Sequence, residues 1–474
     1  MRRSINILAN TDWFTVIIYL ILVTFGWMNI YSVNQFQAVD KWLSTDTRYT
    51  MQLIWIIVSL GIAIVIFLID SRFYSFISYP SYALSLLVLL VVIVVGKEIH
   101  GAKSWIIIGP VRLQPSEFAK VATVMAIAKY LSGYNIKPSS LKNIVVTAII
   151  ILAPVVLISL QPDFGSTLVF GSLILVLYRE GLPPWVLIFL FFMASLFLAW
   201  FVFTPLTILI ILTIIAFIGF GFINKLPKNI LGSIGIFVGF LGIGFLGRKL
   251  DLLTMDSYYF FLTVLMASVV TFFIVAVSKK IKGAVIIILF LISFIGYIYS
   301  INFLFNTLLQ PHQKDRVLVM LGLLSDPYGY EYNVNQSKIA IGSGGFTGRG
   351  FLKGPITNLK YVPEQSTDFI FCTIGEEWGF LGSIAFILLF IGLLIRITII
   401  AERQRSRFSR IYGYGVLAVL FFHFAINVGM TLALFPVIGI PLPFLSYGGS
   451  SLMSFTILLF ILLRLDSTRK AYLV

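Results

Sequence analysis

Residues 77–96 read Ile77-Ser-Tyr-Pro-Ser-Tyr-Ala-Leu-Ser-Leu-Leu-Val-Leu-Leu-Val-Val-Ile-Val-Val-Gly96, with no charged side chain among them. A helix of about 20 such residues crosses the ~30 Å hydrocarbon layer of a bilayer. In lipid, only helices and closed barrels satisfy their own backbone groups. The apolar residues here are continuous, whereas a barrel strand alternates, so the stretch reads as a transmembrane helix. Similar runs recur near 13–32, 52–69, 116–132, 143–160, 166–180, 184–204, 206–224, 229–247, 259–278, 283–303, 369–400, 409–431 and 444–464. The expectation is an all-α integral membrane protein, a polytopic bundle of about fourteen transmembrane helices. The boundary inside 184–224 rests only on Phe203-Thr204-Pro205.

Composition agrees. The chain is 59% hydrophobic and only 11% charged, against about 25% charged residues in soluble domains. Its net charge of +15 would suggest nucleic acid in a soluble protein. Here the charge follows the loops. With the N-terminus inside, one set carries Arg72, Lys137, Lys142, Arg179, Lys225, Lys228, Lys279, Lys280 and Lys282, then Arg403, Arg405, Arg407, Arg410, Arg469 and Lys470. The opposite short loops carry fewer, and the excess of Lys and Arg puts both termini in the cytoplasm. No nucleic-acid partner is expected. The first apolar run lacks a small-residue cleavage site and reads as a retained helix. A single cysteine, Cys372, excludes a disulfide framework. His100, His312 and His423 are far apart in sequence and show no metal-site spacing; His423 falls within a span, where a structural hydrogen bond is expected.

Polar residues gather on the opposite, outer side in four places. The first runs from Gly101 through Lys103, Trp105 and Arg112 to Pro115-Ser116-Glu117-Phe118-Ala119-Lys120. Pro115 suits a first helical position, and Glu117 and Lys120, three apart, share a helix face. Ionisable groups in a span usually pair and face a cavity; the plainer alternative is an ion pair that only packs two helices. The second is Gln161-Pro162-Asp163-Phe164-Gly165, where Asp163 also suits ordinary turn chemistry. The third is a long loop over 304–368, with Arg316, Asp326-Pro327-Tyr328-Gly329, Lys338, the glycine run Gly342-Ser-Gly-Gly-Phe-Thr-Gly-Arg-Gly350, then Glu364, Asp368 and, just beyond it, Glu377. A structureless loop of this length is uncommon unless functional. Its glycines lack the nucleotide-binding spacings and are expected to admit close backbone approach. Asp326-Pro327-Tyr328-Gly329 by itself is a good type I turn. The fourth, Pro441-Leu-Pro-Phe-Leu-Ser446-Tyr-Gly-Gly-Ser-Ser451, is too rich in proline and glycine to face lipid and is expected to be a broken segment lining a cavity.

Together these segments resemble the signature regions of the SEDS family (shape, elongation, division, sporulation), in the family's order and over about three quarters of the chain. The strings beginning at Pro441 and at Gln336-Ser-Lys-Ile-Ala-Ile-Gly-Ser-Gly-Gly345 are the most specific. Gly348-Arg-Gly-Phe-Leu-Lys-Gly354 and Tyr361-Val-Pro-Glu-Gln-Ser-Thr-Asp-Phe369 resemble the elongation branch more than the division branch. The family usually has ten spans, so the resemblance implies one membrane domain over 1–474, with about four extra helices inserted within 184–279.

The resemblance further implies a peptidoglycan glycosyltransferase of the bacterial inner membrane. It would join lipid II to an undecaprenyl-pyrophosphate-linked glycan, within the elongation machinery and alongside a class B penicillin-binding protein that cross-links the strands. Asp326 falls where the family motif has its essential carboxylate and is the expected general base or acceptor orienter. Such chemistry needs a base at the acceptor hydroxyl and positive charge at the leaving pyrophosphate. Lys103, Arg112, Arg316 and Lys338 are the candidate pyrophosphate ligands. Trp105 is a candidate sugar or partner contact, and Glu117 and Lys120 are expected to shape the cavity. Asp163, Glu364, Asp368, Glu377 and Ser446 form a second tier. No protein metal site is expected; a divalent cation, magnesium or manganese, could share the pyrophosphate, though no sequence feature demonstrates one. The competing function is a lipid II flippase, which intramembrane charges and broken segments would also suit.

Overall fold

The computed structural model describes residues 7–34, 47–99, 101–109, 111–134, 136, 139–223, 227–250, 256–281, 283–308, 314–315, 318–319, 323–324 and 330–469. Twelve helices among them are long and apolar enough to cross a membrane, and the chain is a multi-pass, predominantly helical membrane protein. The two remaining expected spans are also helical. Pro115–Leu131 is shorter and carries Glu117, Lys120 and Lys129; 166–180 is divided into Phe164–Gly171 and Ile174–Arg179.

The chain forms two compact units, one of residues 1–183 with 315–474 and one of residues 184–314. In the second, three helices open on proline: Pro184–Val202, Pro205–Ile223 and Pro227–Lys249. Proline has no N–H to lose there, and its fixed φ suits the first turn. The Phe203-Thr204-Pro205 boundary therefore separates two helices as expected. Ser257–Ser278 and Ala284–Phe303 complete the unit. Its core is aliphatic and aromatic, with Leu209, Leu212, Phe220 and Phe294 at most 2% exposed.

In the first unit the membrane helices are Trp13–Asn34, Arg48–Leu68, Ser71–Val95, Pro115–Leu131, Leu141–Ser159, Ile370–Glu402, Arg407–Thr431 and Gly449–Ser467. Pro115–Leu131, Arg407–Thr431 and Gly449–Ser467 are its most enclosed helices. Between the Ser71–Val95 and Pro115–Leu131 helices the chain forms a small antiparallel meander, β1 (Lys97–Ile99), β2 (Ala102–Ile108) and β3 (Val111–Leu113). Sequence reading assigned no strand here. The long loop also differs from expectation, because Tyr330–Ser343 is helical. Its polar residues, such as Asn333, Asn335, Gln336 and Lys338, gave no apolar period to announce a helix.

One end of this unit is tied by buried charge. Asp12 accepts from the Thr15 amide and hydroxyl (3.1 and 3.0 Å), from Arg396 (2.6 Å) and from Arg403 (2.9 Å). Arg403 also pairs with Asp466, which accepts from Gln404 at 2.9 Å and pairs with Arg469 at 2.8 Å. Burial raises the Asp12 pKa, but the hydrogen bonds from Arg396, Thr15 and Arg403 outweigh it and hold the carboxyl down at about 2. A carboxylate depressed in the folded state contributes stability above its unfolded pKa of ~3.9 and loses it as pH falls through the folded value. Asp12→Asn is therefore expected to cost about 2 kcal/mol at pH 7 and to flatten the acid limb between about pH 4 and 2. Thermal melts of the detergent-solubilised protein across that range provide the check; an unchanged acid limb would reject the assignment.

Candidate active site

The four polar segments meet at the other end of the first unit. The Pro115–Leu131 helix presents Glu117 and Lys120, 2% and 1% exposed, to the helices around it. Lys120 Nζ donates to Glu117 Oε1 at 2.8 Å and lies 2.9 Å from His423 Nε2. The other Glu117 oxygen accepts from Ser454 Oγ at 3.0 Å. An ammonium only donates, so Nε2 is the acceptor and His423 Nδ1 carries the hydrogen toward Pro441 O, 3.1 Å away. The expected pair is thus present, and His423 extends it to the broken segment.

That segment, 432–448, lacks regular helix between Thr431 and Gly449, yet Leu442, Phe444 and Leu445 are almost fully buried. Side chains satisfy the carbonyls its irregular path exposes, as a low-dielectric surrounding demands. Asn427 Nδ2 donates to Ile440 O (2.7 Å) and to Asp368 O (2.8 Å), joining this segment to 363–368. Ser446 Oγ accepts from the Leu442 amide at 2.8 Å and donates to Thr367 O. The Tyr447 amide donates to Ser366 O at 2.8 Å. Arg48 donates to Ser366 Oγ at 2.7 Å and lies near the Tyr447 ring. Burial pushes the Tyr447 phenol above its ordinary range, while Arg48 and Arg112 pull it back. β3, which carries Arg112, packs against the Gly449–Ser467 helix.

Asp163 caps the Phe164–Gly171 helix, accepting from Ser166 N (3.1 Å), Ser166 Oγ (2.9 Å) and Gln114 Nε2 (2.8 Å). It joins the start of Pro115–Leu131 to the start of Phe164–Gly171 through Gln114, the residue that precedes Pro115. Lys103 and Trp105 both lie on β2; Lys103 reaches back to Val94 O at 3.1 Å, and Trp105 pairs with Lys97 across the sheet. Lys338 is exposed on the Tyr330–Ser343 helix, away from Lys103 and Arg112 in sequence and not tied to them by any described contact. Arg316 and Asp326 lie outside the described residues.

The glycine run packs backbone against backbone. A Cβ on Gly344 would lie 2.0 Å from Gly375 O, and one on Gly348 2.2 Å from Glu377 O. Arg349 N and Gly350 N donate to Glu376 O and Glu377 O, while Phe380 N and Leu381 N donate to Gly345 O and Phe346 O. Gly379, at φ 64° and ψ −160°, breaks the Ile370–Glu402 helix to allow this pairing. Glu376 caps the Pro355–Asn358 turn through Ile356 N, Thr357 N and Thr357 Oγ1. Glu377 accepts from Ser32 Oγ and Leu352 N. Gly348→Ala, strained both by contact and by φ +84°, is expected to cost at least about 1–2 kcal/mol. Gly342→Ala meets nothing within 4 Å in a helix and should be neutral or stabilising by up to about 1 kcal/mol. Melting temperatures of the two variants test this; equal shifts would contradict the packing.

Among the described residues no group of three His, Cys, Asp or Glu could hold a metal ion. Glu117, Asp163, Glu364, Glu376 and Glu377 are engaged by amides, hydroxyls or cations.

A family model described as "Cell cycle protein" (FTSW_RODA_SPOVE) matches residues 12–226 and 259–471, and the chain belongs to that family. Its relatives include "Peptidoglycan glycosyltransferase RodA" of Treponema pallidum (strain Nichols), 29% identical over 94% of this chain and 94% of that protein. "Peptidoglycan glycosyltransferase MrdB" of Escherichia coli (strain K12) is 29% identical over 74% of this chain and 68% of its own. Among solved structures, a chain described under "Structural coordination of polymerization and crosslinking by a peptidoglycan synthase complex" shares the fold at TM-score 0.63, with 24% identity and coverage of 97% and 98%. The crystal structure of Thermus thermophilus rod shape determining protein RodA gives TM-score 0.55, with 21% identity and coverage of 97% of each chain.

Proposed function

We propose that this protein is a peptidoglycan glycosyltransferase of the RodA type, polymerising lipid II on the outer face of the bacterial inner membrane with both termini in the cytoplasm. The observation that carries the reading is the convergence of segments 115–120, 161–166, 363–369 and 439–451 on one end of the first unit, in a chain that matches the family over almost its whole length. The acceptor sugar hydroxyl attacks the donor's anomeric carbon, the carbon–oxygen bond to the diphosphate breaks, and the hydroxyl proton passes to Asp326. Arg112, Lys103, Arg316 and Lys338 supply positive charge for the pyrophosphates, and a magnesium or manganese ion would share that charge, bound chiefly by the substrate. The naming of one structural neighbour as a complex of polymerisation and crosslinking supports a penicillin-binding-protein partner. On this reading the surplus helices lie within 184–279, a range in which the family match covers 184–226 and 259–279.

The test is glycan synthesis from purified lipid II in liposomes, with and without the cognate class B penicillin-binding protein. A ladder of glycan products is expected. Transbilayer movement of lipid II without polymer, even with the partner, would replace this reading with a flippase.

A further inference from the structure

A line of buried polar contacts joins three helices to the broken segment. Ser454 donates to Glu117, Glu117 pairs with Lys120, Lys120 donates to His423 Nε2 at 2.9 Å, and His423 Nδ1 faces Pro441 O at 3.1 Å. Glu117, Lys120 and His423 are at most 2% exposed. Glu117 and Lys120 neutralise each other without the histidine. The imidazole carries the line onward, because one ring nitrogen accepts while the other donates. Phe455 stands edge-on to the His423 ring, 4.8 Å between centroids, and restricts its rotation.

The last link falls on backbone that cannot hold itself. Pro441 and Pro443 have no N–H, so this stretch cannot complete a helix or sheet ladder. Phe444, 2% exposed, takes φ 67°, a left-handed conformation that persists in a side-chain-bearing residue only where its surroundings enforce it. The rings of Tyr19 and Phe455 pack on it, at 5.2 and 6.0 Å. Asn427, one helical turn beyond His423, spends both amide hydrogens on Ile440 O and Asp368 O. Among the described hydrogen bonds, Pro441 O receives only that of His423. Further along, Ser446 and Tyr447 hold Thr367 O and Ser366 O. Movement at Pro441 is thus passed along the segment to 366–368. A histidine that merely filled the core would need one partner; this one ties a charged pair to strained backbone.

We propose that His423 is a positioning residue for glycan polymerisation. It touches no substrate; it fixes 439–448, and through them 366–368, against the Glu117–Lys120 pair. The role in polymerisation rests on the glycosyltransferase reading, whereas the link rests on the contacts themselves. A misplacement of about 1 Å in groups that orient a reactant can cost about 10²-fold in rate.

Three substitutions test it. His423→Leu supplies neither acceptor nor donor, but leaves Glu117 and Lys120 paired, so the buried charge stays compensated. His423→Gln offers both functions on one carboxamide. His423→Asn, one methylene shorter, keeps an N–H for Pro441 O and gives up Lys120, so the test survives if His423→Leu fails to fold. With lipid II and full-length protein in liposomes beside the cognate penicillin-binding protein, kcat per folded protein is expected to fall about 10–100-fold in His423→Leu and His423→Asn. KM should stay within about two-fold of wild type, and His423→Gln should recover kcat. Hydrogen exchange of the full-length protein in nanodiscs reads the link without activity. Amides of 442–448 are expected to exchange about ten-fold faster in His423→Leu and at the wild-type rate in His423→Gln. Wild-type kcat in a folded His423→Leu or His423→Asn overturns the proposal, as does a His423→Gln as slow as His423→Leu. A rise in KM at constant kcat also overturns it, because that marks a substrate contact. Wild-type ladders from every variant, with unchanged exchange, remove the link and keep the polymerase. Histidine-dependent exchange without a ladder from any form does the reverse.

Discussion

Asp326→Asn is expected to lower glycan polymerisation from lipid II by about 10²–10⁴-fold with no change in melting temperature, the range lost when a positioned general base is removed. Asparagine keeps the shape and the turn-forming capacity of aspartate but takes up no proton. Four described carboxylates at this end are already engaged. Asp163 accepts three hydrogen bonds as a helix cap, Glu376 caps a second turn, Glu377 takes Ser32 and Leu352, and Glu364 stands beside Arg48. Asp163→Asn supplies the contrast, because asparagine caps a helix about as well as aspartate; most activity should survive. Full activity in Asp326→Asn combined with loss in Asp163→Asn would move the base to Asp163. Gel-resolved product ladders, normalised to folded protein, read both.

Lys120→Met should have the largest effect on stability. It leaves the Glu117 carboxylate, 2% exposed, without its cation, and leaves His423 Nε2 without its donor. Breaking a buried pair by removing one partner costs about 3–5 kcal/mol, whereas replacing both with apolar groups of similar volume is often nearly neutral. Glu117→Leu combined with Lys120→Met should therefore recover most of the loss. Thermal unfolding of the single and double variants tests this non-additivity. A single variant as stable as wild type would mean that the pair holds no uncompensated charge when broken.

The membrane helices were legible because the apolar runs needed no partner to be recognised: each of the fourteen expected segments is wholly or largely helical. The sheet was not. Ala102–Ile108 is short, and its pairing with Lys97–Ile99 and Val111–Leu113 is set by turns at Gly101 and Gly109, both with positive φ, rather than by an apolar alternation. At the site, Glu117 and Lys120 were readable as a pair because helical spacing joins residues three apart. His423, Asn427, Gln114 and Ser32 were not assigned to the site, since their partners lie on other elements tens or hundreds of residues away. The glycines were rightly expected to permit close approach, but what they approach, the backbone of 375–381, only the fold reveals. Nothing in the sequence around Arg48 announces Ser366 as its partner.

The web of arginines on Asp12 and Asp466 has a mechanical meaning. It joins the chain just before Trp13–Asn34 to the last turns of Ile370–Glu402 and Gly449–Ser467. Three rods fastened at their feet cannot slide past one another, but they can still splay. Any parting among them must widen away from the fastening, like the tips of tweezers, toward the end where 363–368 and 439–448 lie. A greasy tail could thus leave sideways between the helices without loosening the opposite end of the bundle.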